Sequence, residues 1–190
     1  MPTPRATPLL LALLLPGACD DPADDTTATT TTTTTGDPSS CPDYLQFCVT
    51  AELTGSVTAE RTAATNFGQL ACAAWAAGGP ARILELPFIV DPGLTVALTR
   101  IGKYTGPGTY TLAPVTMTGD PDSFPAINAD GRAFTNGPGT TATVTVAADG
   151  SGTLAAAGLI ETESVQGPTP DPDARVDLAY RWTCNPAVNG

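Results

Sequence analysis

Between Arg175 and Cys184 the chain alternates without a break. Val176, Leu178, Tyr180, Trp182 and Cys184 fall on one side, and Arg175, Asp177, Ala179, Arg181 and Thr183 on the other. A period of two sustained over this length predicts a strand with one face in a core and the other in solvent. It also sets Cys184 inward beside Trp182. Such a strand needs a second layer to bury its apolar face, which points to sheet packed on sheet.

The rest of the chain offers the other strands. In TTATVTVAADGSGTLAAAGLI, Ala142, Val144 and Val146 face one way and Thr143 and Thr145 the other. With a turn at Asp149-Gly150-Ser151-Gly152, this segment reads as a hairpin. Further strands are expected over Glu52 to Glu60 (Leu53 and Val57 on one face), Arg82 to Val90, Leu94 to Ile101 and Thr109 to Thr118. Asp91-Pro92-Gly93 and Gly106-Pro107-Gly108 act as turn tripeptides between them. Gln69 to Ala77 is rich in Ala, which favours helix, but Leu70 and Cys72 also share a strand face, and a strand is the preferred reading. Asp120 to Asn136 and Gln166 to Asp173 read as long loops. About eight short strands with regular turn signals and almost no helix predict an all-β fold, an antiparallel β-sandwich, over residues 41–190.

Ahead of this domain, LLLALLLPGAC runs from Leu9 to Cys19. Its apolar run is too short to span a bilayer, which takes about 20 residues, and it matches the core of an export signal. PGAC resembles a bacterial lipobox, in which the Cys is acylated and becomes the first mature residue. Residues 1–18 are therefore read as a signal peptide and Cys19 as the lipidation site. The alternative is cleavage near Ala18 and plain secretion. Residues 19–40 carry DDPADD and a run in which Thr26 to Thr35 is Thr apart from Ala28. Such a tract buries too little apolar surface to offset its chain entropy, so a disordered stalk is expected. Ser/Thr-rich tracts with Pro also suit O-glycosylation.

Charge and composition exclude several functions. The chain has 8 Lys and Arg against 19 Asp and Glu, and no His. Its cations are scattered, so nucleic-acid binding, which needs clustered ones, is not expected. Without His there is no Ser–His–Asp or Cys–His arrangement and no His-ligated zinc. No Gly-rich phosphate loop is present, since GPG and GSG lack a Lys and a following helix. No cofactor and no catalytic residue are assigned.

Five Cys make an odd set: Cys19, Cys41, Cys48, Cys72 and Cys184. If Cys19 carries lipid, four remain for two disulfides in an oxidising compartment, with three possible pairings. Cys41 and Cys48 lie close in CPDYLQFC and are paired as a clasp, which leaves Cys72 with Cys184.

Taken together, the lipobox, the Thr-rich spacer, TGSV at Thr54 to Val57, Cys72, GTYTL at Gly108 to Leu112, the hairpin over Thr143 to Gly152 and WTC at Trp182 to Cys184 resemble small bacterial surface lipoproteins. Among these are mycobacterial lipoprotein antigens with a two-sheet β domain. The resemblance implies the fold and a disulfide; it carries no catalytic residues, and CPDYLQFC is no part of it.

Three groups of side chains remain as candidate sites. Asp120-Pro121-Asp122 and Asp171-Pro172-Asp173, with Asp130 nearby, are oxygen-rich in the manner of calcium loops. Turn chemistry explains the same tripeptides and is preferred, with Asp120, Asp122, Asp171 and Asp173 kept as weak calcium candidates. Glu161 and Glu163, two apart on a strand, have the residue types of a glycosidase pair, though a solvated face is the plainer reading. Tyr104 and Tyr110 either form an aromatic ligand platform or belong to the core. The expected function is that of an exported, non-enzymatic cell-envelope protein held to a membrane by its lipid. It would present the sandwich for adhesion, ligand capture or a structural role. An apolar-ligand module with a pocket between the sheets is the alternative, and a carboxylate hydrolase a more remote one.

Overall fold

The computed structural model describes residues 45–66, 72–113, 122–164 and 167–185. The chain divides into two units, Met1–Thr34 and Thr35–Gly190, and every described residue belongs to the second. The signal peptide, Cys19, the stalk, Cys41, Asp120 and the end of the strand expected over Thr109 to Thr118 lie outside the described residues.

In order, the described elements are β1 (Phe47–Gly55), β2 (Ala59–Thr65), α1 (Cys72–Ala76), β3 (Arg82–Glu85), β4 (Ile89–Asp91), β5 (Leu94–Ala97), β6 (Arg100–Tyr104), β7 (Gly108–Thr111), β8 (Ala126–Ala129), β9 (Arg132–Thr135), β10 (Thr141–Val146), β11 (Gly152–Thr162) and β12 (Arg175–Cys184). Ten strands form one sheet in the order β2-β1-β12-β11-β9-β8-β5-β4, with β10 joined to β11 and β7 to β10. β3 and β6 make a second, two-stranded sheet. All the pairings are antiparallel. The large sheet curls until β2 approaches β4 and β5, where Arg61 Nε meets Asp91 Oδ1 at 3.1 Å. Near-closure protects strand edges that would otherwise offer unpaired backbone groups.

The all-β sandwich expected from the sequence is therefore present, and its last strand and its hairpin fall where the alternation placed them. Val176, Leu178, Tyr180 and Trp182 are buried on β12, as are Ala142, Val144 and Val146 on β10. Each large apolar side chain so buried stabilises the fold by roughly 1.5–3 kcal/mol. Tyr180 ties the layers together, its hydroxyl donating to the Pro87 carbonyl at 2.6 Å.

The strand count and several boundaries differ. The strand expected over Glu52 to Glu60 is a hairpin instead: β1 begins at Phe47 and turns after Gly55 into β2. Its turn is clamped by Arg175, whose carbonyl accepts from Ser56 N at 2.8 Å and whose N–H donates to Ser56 Oγ at 3.0 Å. Two other expected strands each break in the middle, at Leu86–Phe88 and at Leu98–Thr99, because the chain there passes from one sheet to the other. Sheet-switching corners of this kind are made by bends. At the second bend Leu98 adopts φ +63° and stays exposed. The loop expected over Asp120 to Asn136 contains the β8–β9 hairpin, with Asp130 at φ +51° and Gly131 at +73°. Positive φ at both central residues is the type I′ turn that suits twisted strands. Finally, the strand preferred for Gln69 to Ala77 is the helix α1 over its described part. The Ala-rich propensity prevails, in a segment pinned by Cys72 and Trp75.

Candidate functional site

A disulfide and a cluster of aromatic rings gather around α1. Cys72 and Cys184 form a disulfide with a Cα separation of 5.8 Å, as paired from the sequence. Beside it the Trp75 ring lies 5.5 Å from that of Trp182, tilted by 50°, and meets Tyr104 edge-on at 5.8 Å, and Tyr104 lies 5.3 Å from Tyr110. Trp182 Nε1 donates to the Gly150 carbonyl at 2.9 Å. The Tyr104 hydroxyl donates to the Trp75 carbonyl, and that of Tyr110 to the Gly106 carbonyl. Burial first, and then the neighbouring Tyr110, push the Tyr104 phenol up to about 12. Both tyrosines are thus committed to backbone carbonyls, and Tyr104 is fully buried. They belong to the core rather than to a ligand platform. Cys48 is also disulfide-bonded.

On the outer face of the sheet, β1, β12, β11 and β10 enclose a shallow trough. Alternation sets Glu52, Ala179, Ala155 and Thr143 side by side across the four strands. The alanines make its floor. One open depression of about 390 Å³ is lined by Glu52, Asp177 and Thr141 among others, and a second of about 270 Å³ reaches Thr50 and Arg181.

Glu161 and Glu163 do not come together. β11 carries a bulge between Ala156 and Leu159 where it pairs with β12. Before the bulge the even-numbered Leu154 and Ala156 face inward; after it Leu159 and Glu161 do. The extra residue flips the alternation and turns a carboxylate into the protein. There Glu161 binds Arg132 through two hydrogen bonds, Nε to Oε1 at 2.9 Å and Nη2 to Oε2, and accepts the Asp171 N–H at 3.1 Å. Arg132 also lies 5.3 Å from the Phe134 ring centre. Glu163 lies beyond the strand and is exposed. A buried carboxylate bound by a bidentate guanidinium, with Glu163 exposed, is not half of the facing carboxyl pair that glycoside hydrolysis uses. A Gly inside a strand is the signal that marks such a bulge, and Gly158 supplied it.

Of the calcium candidates, Asp122 and Asp171 spend carboxylate oxygens on backbone N–H groups. Asp122 accepts from Gly102 N at 2.6 Å and from Ala113 N at 3.0 Å, bridging β6 to the end of β7. Asp171 Oδ1 accepts from Asp173 N at 2.9 Å, an Asx turn. Among the described residues no group of three or more acidic or Cys side chains is placed to hold a metal ion. Comparison with known proteins finds no family model, no curated protein and no solved structure that matches the chain.

Proposed function

We propose that the chain is an exported, non-enzymatic cell-envelope protein, acylated on Cys19 and presenting its β domain beyond a Thr-rich stalk for adhesion, ligand capture or a structural role. Cysteine parity carries the reading. Cys72 and Cys184 are bonded to each other, and Cys48 is also disulfide-bonded. Five Cys is an odd number, so at least one cannot pair within the chain. Cys41, close to Cys48 in sequence, is the natural partner, and the remaining Cys19 follows the export signal. Removed from water, an acyl chain gains about 0.8 kcal/mol per CH₂, so a lipid there would hold the protein at a membrane. The resemblance to bacterial surface lipoproteins supports the same address.

The packed interior favours this reading over an apolar-ligand module. Trp75, Trp182, Tyr104, Phe47 and Phe134 are fully buried and fill the space between the layers, whereas the depressions described above open outward. Metabolic labelling with a fatty-acid analogue tests the anchor: wild type takes up label and Cys19→Ser does not. Equal labelling of the two would refute it.

A further inference from the structure

Glu161 is the one buried charged residue among the described residues, and one of its hydrogen bonds goes to the segment Gly167–Asp173. Gly167–Asp173 contains no buried residue. Its other hydrogen bonds are local or run to its own end: Gly167 N to Ser164 O, Asp173 N to Asp171 Oδ1, Ala174 N to Asp171 O, and Arg175 Nη1 to Pro172 O. The bond from Asp171 N to Glu161 Oε2 is the one that joins this span to β11. Besides it, Gly167 lies close against the Gly131 carbonyl and Asp171 is attracted to Arg132. A span with no fully buried residue sits at the low end of local stability, so its charge-assisted contacts weigh heavily on whether it stays down.

We propose that Gly167–Asp173 is a strap latched to the sheet by the Glu161 carboxylate, and that acid releases the strap while the sheet stays folded. The charged groups around the latch are Arg132 on β9, Asp130 in the β8–β9 turn, Asp171 and Asp173 in the strap, Glu163 just beyond β11 and Arg175 at the start of β12. Of these, Arg132 binds the carboxylate directly, and its guanidinium holds the Glu161 carboxyl below the usual range against the opposing cost of burial. A carboxyl depressed in the folded state contributes stability above its unfolded pKa and loses it as the pH falls through the folded value. The latch is closed at neutral pH and opens in acid, below the usual carboxylate range. On opening, Arg132 loses its counter-charge.

Amide hydrogen exchange on the folded protein, corrected for intrinsic rates, tests the strap. Protection of the Asp171 amide, the one bonded to Glu161, is expected to fall about tenfold or more between pH 6 and pH 3, with β10, β11 and β12 still protected. Glu161→Gln keeps one acceptor oxygen where the carboxylate has two. It should show the open pattern at pH 6 and little change on acidification. Unchanged protection in wild type at pH 3 overturns the proposal, as does loss of strap and strands together. The wild-type titration decides the matter even if the variant fails to fold.

Discussion

Removing the Cys72–Cys184 bond is the perturbation with the largest expected effect on stability. The two residues are 112 positions apart, so the bond closes a loop that spans most of the domain. In the chain-entropy model a loop of this size lowers the entropy of the unfolded chain by an amount equal to about 4.8 kcal/mol at 25 °C. The native Cα separation of 5.8 Å sits within the 4.4–6.8 Å span that a disulfide needs. Measured losses for native disulfides in small domains run at about 2–5 kcal/mol, against a net stability of roughly 5–15 kcal/mol. The double variant Cys72→Ala/Cys184→Ala should therefore keep the fold but lose about 4 kcal/mol, with Tm lower by roughly 8–16 °C. α1 has five residues, too few to persist alone. The variant should therefore also loosen the packing of Trp75 and change its fluorescence. Urea unfolding of the two proteins, with the Cys48 bond intact in both, supplies the measurement. A loss under about 1 kcal/mol would show that the unfolded chain is already compact or that the core alone holds α1.

Trp182 is fully buried and its indole N–H satisfies the Gly150 carbonyl. Trp182→Ala should cost about 3–5 kcal/mol and Trp182→Phe about 1–3 kcal/mol, since the carbonyl then loses its donor; chemical denaturation ranks the two. Gly150 has φ +84°, and a Cβ there would lie 2.6 Å from the Cys72 carbonyl oxygen and 3.1 Å from Trp75 Cβ. Gly150→Ala should lose at least about 1–2 kcal/mol from backbone conformation alone, and more from the clash, read as a fall in Tm. A stability equal to wild type would mean that α1 yields at little cost.

Local periodicity by itself determined much of this protein. The alternation through β12 and β10 named the buried faces, because side chains on a strand point to opposite sides in strict turn. Cysteine arithmetic then named the long disulfide before any geometry was known. The β8–β9 hairpin was equally legible in Asp130-Gly131 between Ile127 and Phe134, and only the long Pro-rich surroundings hid it. Three features were decided by the tertiary structure. The breaks at Leu86–Phe88 and Leu98–Thr99 exist because the chain changes sheet there, and an apolar run looks the same whether it stays in one sheet or crosses to another. The start of β1 at Phe47 depends on pairing with Cys184, far away in the chain. The inward turn of Glu161 depends on one extra residue against β12. A register shift of one reverses every later side chain, and a partner strand, which no local pattern contains, decides where it falls.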